Sequence, residues 1–271
     1  MQLSMPDLNT LLDESAQALE AGELEEALEL AEQAVLKDPS SADAHFLKGE
    51  ALLDLLFFEE AIEAYQKADD LLPDHPDILS GLGMALFECI RFDEAEAVLE
   101  ESLDLDDEMP EAHQTLALIL ERKNDPRAQD HFTRAHTLSP DTYPLPVEIS
   151  PEEFDACIQS ALSELPDSVQ KAIKNTPISV EPYPQEADLT ASKPPLSPQL
   201  LGLYRGASLK EKTVFDPWTE LPGEILLYQN NLQRHCQDRE ELVVQIRITV
   251  LHEIGHLLGL TEEDLDDRGL Q

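Results

Sequence analysis

Residues 40–73 read SSADAHFLKGEALLDLLFFEEAIEAYQKADDLLP, and a closely similar pattern follows over the next stretch of the same length. Pro39 and Pro73 lie 34 residues apart, and each closes an acidic segment whose apolar residues keep helical spacing. Alanines match at this interval, Ala27 with Ala61 and Ala95, and Ala34 with Ala68. Gly49 and Gly83 share one position, held by Ser15 in the first unit, while Leu30-Ala31, Ala64-Tyr65 and Val98-Leu99 share another. A fourth unit runs from about Pro110 to Pro140 with Ala128, Phe132 and Ala135; it is one residue short, and Asn124-Asp125-Pro126 falls at its internal turn. Small residues at the Gly and Ala positions let two antiparallel helices approach closely, and Leu, Phe and Tyr fill the space between neighbouring pairs. A single helix pair cannot bury its own apolar stripe, so the units must stack.

This period and these small-residue positions resemble the tetratricopeptide repeat over about half the chain. The resemblance implies a helical solenoid whose concave groove takes a protein or peptide client, without saying which. His45, His75, His113, His131 and His136 are spread at one or two per unit without ligand spacing, and read as surface or packing histidines.

The chain has 271 residues and a formal net charge of −39. Residues 1–143 carry 35 acids against 8 Lys/Arg, and residues 144–271 carry 22 against 10. Nucleic acid and anionic membranes both require a basic footprint and are excluded as partners. The acidity fits two readings, a solvated surface or a surface that recruits basic protein segments. No stretch reaches the roughly 18–20 apolar residues of a membrane helix. Met1–Thr10 has neither a basic n-region nor an apolar h-region, so no export signal is expected. Cys89, Cys157 and Cys236 are odd in number and far apart, with no disulfide framework or C-x-x-C pair. A reducing cytoplasm is the expected location.

Tyr143-Pro144-Leu145-Pro146 stops the repeats and divides the chain into a repeat domain, 1–143, and a second domain, 144–271. Ser150-Pro151-Glu152-Glu153 is a capping box that starts a helix with Phe154, Ile158, Ala161, Leu162 and Leu165 on its apolar face. Ile178 to Glu181 between prolines, Leu200 to Gly206, and Glu224 to Tyr228 read as strands, and the proline-rich stretch 184–199 as a long surface loop.

The last helix is expected from near Asp238, with Glu241 three residues on. Its run from Val243 to Val250 is β-branched enough to pass for a strand. The pair His252 and His256 decides otherwise. One helical turn apart, their Cβ atoms lie about 5–6 Å from each other and both imidazoles can reach one metal ion. In a strand they would be spread by roughly 13 Å. Glu253 between them is suited to take a proton from the attacking water as general base. Gly259 stands where the helix should end and reverse. The reversal would bring Glu262 back as a third, anionic ligand, although Glu263, Asp264 and Asp266 crowd the same tail. A fourth position is then left open, as catalytic zinc sites require.

Three blocks in order, Leu200 to Gly206, Leu221-Pro222 with Glu224 to Tyr228, and Thr249 to Leu260, resemble the small bacterial zincin-like metallopeptidase family over about residues 150–271. The resemblance implies a minimal zincin fold, a few strands on two main helices, and Zn2+ held by His252, His256 and the acid at Glu262. That family commonly carries a second histidine directly after the motif. Leu257 stands there, which implies an altered rim and no change at the metal. No methionine follows, so the methionine turn of larger relatives is absent. Tyr204, Arg205 and Tyr228 are candidates for stabilising an oxyanion, against the plainer reading of structural tyrosines and a surface arginine. His235-Cys236 has no partner at ligand spacing. The expected architecture is mainly α with a small α+β domain. The expected function is a zinc metallopeptidase whose repeats recruit a protein client; the alternative is a non-catalytic adaptor whose zincin domain binds metal without cutting.

Overall fold

The computed structural model describes residues 6–207 and 223–266. Leu221-Pro222 of the middle block and the first five residues of Met1–Thr10 lie outside them. The chain divides into two compact units, Met1–Tyr143 with Thr190–Ser197, and Pro144–Leu189 with Pro198–Gln271. Among the described residues no helix is long and apolar enough to cross a membrane.

The first unit is a series of antiparallel helix pairs: α1 (Leu8–Ala21) with α2 (Leu24–Lys37), α3 (Ala42–Asp54) with α4 (Phe58–Leu71), α5 (Pro76–Glu88) with α6 (Phe92–Leu105), and α7 (Pro110–Arg122) with α8 (Ala128–Leu138). The second and third pairs meet at a close approach set by residue size. A Cβ built on Gly49 would lie 2.8 Å from the Tyr65 ring, and one on Gly83 would lie 2.5 Å from Leu99 Cγ. Tyr65 and Leu99 are both fully buried. In the first pair the equivalent of Tyr65 is the smaller Ala31, and Ser15 takes the place of the glycine. Its hydroxyl is buried and donates to the Ala27 carbonyl at 2.9 Å, which satisfies a polar atom that has no water to turn to. Ala27, Ala61 and Ala95 are fully buried, as are Ala34 and Ala68.

The turn inside each pair also repeats, and in two of four units its side chain does not announce it. Gly22, Leu56, Ile90 and Asn124 all take the left-handed conformation, with φ of 74°, 64°, 63° and 56°. The next residue donates across the turn in every unit, Glu23 to Ala18, Phe57 to Leu52, Arg91 to Leu86 and Asp125 to Leu120, at 2.8–2.9 Å. This is the Schellman closure, which pairs carbonyls that the helix end leaves open. Glycine adopts it freely and asparagine tolerates it, whereas leucine and isoleucine are strained there.

The second unit opens with α9 (Pro151–Ser163), whose capping box is complete: Ser150 Oγ accepts from the Glu153 N–H and the Glu153 carboxylate accepts from the Ser150 N–H, both at 3.2 Å. After α10 (Asp167–Ile173) come β1 (Ile178–Glu181), α11 (Glu186–Leu189), β2 (Gly202–Arg205), β3 (Glu224–Tyr228), α12 (Gln229–His235), α13 (Arg239–Leu258) and α14 (Glu262–Asp266). The sheet order is β1-β3-β2, with β1 parallel and β2 antiparallel to β3. Ile225, Leu226, Leu227 and Tyr228 are fully buried, as the central strand of a covered sheet should be. The stretch 184–199 is not wholly loop: α11 lies within it because Leu189, fully buried, anchors a helical turn. Asp238 caps α13 through the Glu241 N–H at 2.9 Å, and Leu242, Ile246, Val250, Ile254 and Leu257 form its buried stripe. The β-branched residues Val243 and Val244 face outward at 39% and 52% exposure, so they add no packing that would favour a strand.

Leu56 is 69% exposed, so replacing it removes strain and little packing. Leu56→Gly is expected to stabilise the protein by about 0.5–1 kcal/mol, the left-handed penalty of a branched residue less the entropy glycine loses on folding. The urea midpoint of wild type beside the variant measures it.

Candidate metal centre

The buried stripe of α13 leaves a second face on which Thr249, His252, Glu253 and His256 lie within two turns. His252 and His256 come as close as helical pitch dictates: their Nε2 atoms are 2.9 Å apart and their rings meet edge to face. Gly259 ends the helix in the left-handed conformation, φ 79°, and the Leu260 N–H closes back on the Gly255 carbonyl at 2.9 Å. Thr261 then starts α14: its N–H and hydroxyl both donate to Asp264 Oδ2 at 3.0 Å, and its hydroxyl accepts from the Asp264 N–H at 3.2 Å. Leu265, fully buried, fastens α14 against α13 at Gly255, where an added Cβ would lie 2.3 Å from Leu265 Cδ2. The middle of the histidine motif is therefore small because the returning tail sits on it.

This return brings Glu262 to the histidines. Its carboxylate oxygens lie 3.7 Å from His252 Nε2 and 3.2 Å from His256 Nε2. His252, His256 and Glu262 are the group among the described residues whose ligand atoms converge within 4.8 Å. Asp264 is turned to the helix cap instead, and Glu263 is exposed outside the cluster. The set suits zinc. Tetrahedral zinc with N and O ligands at about 2.0–2.2 Å places ligand atoms roughly 3.3 Å from one another, and the three separations here bracket that value. Two imidazoles and one carboxylate are also the donor types zinc takes. Burial holds the His256 pKa below the usual value and His252 adds to the effect, against Glu262 and a hydrogen bond to the Leu260 backbone; the lowered value favours the neutral, ligating form. The histidine side chains are 23% and 28% exposed and Glu262 is 71% exposed, so the cluster opens to solvent on the Glu262 side.

Glu253 lies beside the cluster, close enough to feel His252 and Glu262, and is 5% exposed. Burial pushes its carboxyl up to about 7; the neighbouring His252 and a hydrogen bond from the Tyr204 backbone N–H act in the opposite sense. A carboxyl poised there can accept and return a proton near neutral pH.

Of the remaining candidates, Tyr204 and Arg205 are tied into the unit through their own side chains. The Tyr204 hydroxyl donates to the Ala207 carbonyl at 2.8 Å, and its ring lies over Gly206 and Gly223. The Arg205 guanidinium grips Asp188 through both carboxylate oxygens and reaches Glu224 at 3.5 Å. Tyr228 is fully buried, and burial raises its hydroxyl pKa. Leu257 is 1% exposed within the apolar core, so it is not a rim residue: the position after the motif turns inward along the buried stripe. Cys236 is likewise core.

In the repeats, His45 Nε2 meets the Pro39 carbonyl at 3.2 Å and His136 Nδ1 meets the Tyr143 carbonyl at 2.9 Å, which are packing roles. His113 and His131 are not isolated, however. Their Nδ1 atoms are 2.8 Å apart across α7 and α8, and His113 Nε2 lies 3.0 Å from the Asp107 carbonyl. The carbonyl can only accept, so His113 carries its proton on Nε2 and its Nδ1 accepts from His131. Eighteen residues separate the two in sequence, and only the antiparallel packing of α7 on α8 joins them.

A stretch within each unit matches a known family. Residues 12–76 and 58–119 match tetratricopeptide-repeat families, and residues 173–270 match the zincin-like metallopeptidase family. The chain thus joins tetratricopeptide repeats to a zincin-like metallopeptidase domain. Similar solved structures include MamA 41-end from Desulfovibrio magneticus RS-1, at 22% identity and a TM-score of 0.44 over 49% of this chain and 76% of that one. A second MamA crystal structure is 24% identical, with a TM-score of 0.44 over 50% of this chain and 80% of its own. No curated protein matches the chain.

The His113–His131 pair sets a pH dependence whose sign can be worked out. Burial lowers both pKa values from 6.5; Arg134 acts in the same direction on His113, and His113 and Arg127 on His131, against Asp107, Asp130 and Glu100. Below about pH 6.5 the unfolded chain binds protons that the folded pair resists, so the pair's contribution is present above that pH and is lost as pH falls. His113→Gln, which keeps a donor and an acceptor, should flatten the fall in thermal midpoint between about pH 7.5 and 5.5. Melting curves of both proteins across this range provide the comparison.

Proposed function

We propose that the chain is a zinc-dependent metallopeptidase whose repeats deliver a protein client. The convergence of His252, His256 and Glu262 over the buried base Glu253 carries this reading. His252, His256 and Glu262 would hold the metal with one face left open. A divalent cation there supplies Lewis acidity, polarising a scissile carbonyl and making the attacking water more acidic. Glu253 takes a proton from that water on its Oε atoms and returns it to the nitrogen of the leaving amine. Its burial favours this cycle, since the protonated and ionised forms then differ little in free energy near neutral pH.

Tetratricopeptide repeats support protein interaction, and the charge of this array suggests the chemistry of the client. Residues 1–143 hold 35 acids against 8 Lys/Arg. Glu50 on α3 takes a hydrogen bond from the Tyr65 hydroxyl, and burial raises its pKa, with Asp54 and the more distant Asp77 and Glu111 adding to the effect. The last two lie at the starts of α5 and α7, so first helices of successive units contribute to one negative field. A basic segment of the client is the partner this field attracts.

Two measurements test the site. Zinc should bind at about one ion per chain, and Glu262→Ala should weaken it far more than Glu263→Ala in a chelator competition; equal losses would mean that Glu262 is not the ligand. Glu253→Gln leaves the three proposed ligands in place, so zinc content and folding should hold while cleavage of an unbiased peptide library falls roughly 100-fold or more. A wild type that loads zinc and binds clients yet cleaves nothing would favour the adaptor reading.

A further inference from the structure

The base Glu253 is held from a direction that the metal ligands do not account for. Strand β2 runs past α13 with Gly202 facing the turn that carries Thr249 and Glu253. A Cβ built on Gly202 would lie 2.6 Å from Thr249 Cγ2 and 3.1 Å from both Glu253 Cγ and Glu253 Oε1. Two residues further along, the Tyr204 backbone N–H hydrogen-bonds the Glu253 carboxylate. The strand's pairing explains why the Tyr204 N–H is turned to Glu253 and not to β3. Leu201 accepts from the Tyr228 N–H at 2.9 Å, so alternate residues from Leu201 turn their backbone groups toward β3, and Gly202 and Tyr204 turn theirs away from it.

We propose that Gly202 is a positioning residue for Glu253: the missing side chain at 202 is the space in which the Glu253 side chain lies flat against β2, within reach of the Tyr204 N–H. The proposal rests on the reading of Glu253 as general base. It assigns a purpose to a glycine that backbone conformation does not require, since Gly202 has no left-handed φ. Alanine can therefore adopt the strand geometry at 202, and its effect comes from what the methyl group meets. Glu253 Cγ is part of a flexible side chain and can give way. When it does, the carboxylate leaves the N–H that orients it. None of His252, His256 and Glu262 is among the nearest atoms to the new methyl group, so metal binding should survive.

Gly202→Ala is therefore expected to lower kcat on a library-derived peptide by on the order of 10- to 100-fold, with KM changed less than about threefold and zinc content retained. Thr249 is the nearer obstacle, and Thr249→Ser removes its methyl group while keeping the hydroxyl that bonds the Gln245 carbonyl at 2.9 Å. Gly202→Ala/Thr249→Ser should recover most of the stability that Gly202→Ala loses and little of the turnover. This second variant also serves if the single one folds poorly. In a Glu253→Gln background, Gly202→Ala should lower turnover no further; an undiminished further drop would overturn the proposal. A second cycle needs no activity. The loss of urea stability caused by Gly202→Ala should shrink when Glu253→Ala removes Cγ and the carboxylate, and strict additivity would also overturn the proposal. Should wild type loaded with zinc cleave no peptide, the metallopeptidase reading fails, and the stability cycle alone decides whether Gly202 seats Glu253.

Discussion

A helical turn must run unbroken through His252 and His256, and the second unit is arranged around that requirement. Helical pitch puts the two histidines on one face, where their Nε2 atoms come within 2.9 Å, and it also fixes which neighbours lie beside them. With both histidines on one face, Leu242, Ile246, Val250, Ile254 and Leu257 necessarily fall on the buried face. Glu253 falls on the flank, where the sheet covers it. The helix therefore separates a wet face carrying two imidazoles from a dry flank carrying one carboxyl, and the difference in environment gives these adjacent residues different chemistry.

Close approach is the second theme, and it works in the same way in both units. Gly49 and Gly83 let an aromatic and an aliphatic side chain reach the facing helix; Gly202 and Gly255 do this for Glu253 and Leu265. In each case the glycine is small for the sake of a particular neighbour. Leu265 shows the consequence for the metal centre. Its burial against Gly255 sets where α14 begins, and thereby which of the tail acids meets the histidines.

The strain in the repeat turns shows that fold and local preference need not agree. Leu56 and Ile90 occupy left-handed positions that isolated residues of these types avoid. They stay there because the flanking helices are locked in place by fully buried contacts such as Tyr65 and Leu99. Three or four stacked pairs together can impose on a turn what two residues would not choose.

Periodicity was legible without any structure. The 34-residue interval, the matched alanines and the glycines at 49 and 83 record distances between helices, because residue size limits how near two backbones can come. The pitch of the last helix was equally legible, since one turn is what joins His252 to His256, and Asp238 and Gly259 mark its ends by local cap chemistry. Other features depended on residues far apart in the chain. Nothing about Leu56 or Ile90 signals a left-handed turn, and nothing eighteen residues apart announces that His113 meets His131. Glu262, Glu263 and Asp264 are chemically equivalent candidates until Leu265 docks and Thr261 claims Asp264. Gly202 looks like any strand glycine until α13 is laid across it. Pattern and propensity act over one turn or one repeat, so the sequence determined the repeat helices, the strands and the helix of the two histidines, but not short helices such as α11. The tertiary structure decided which atoms meet, because that depends on packing between segments that no local rule connects.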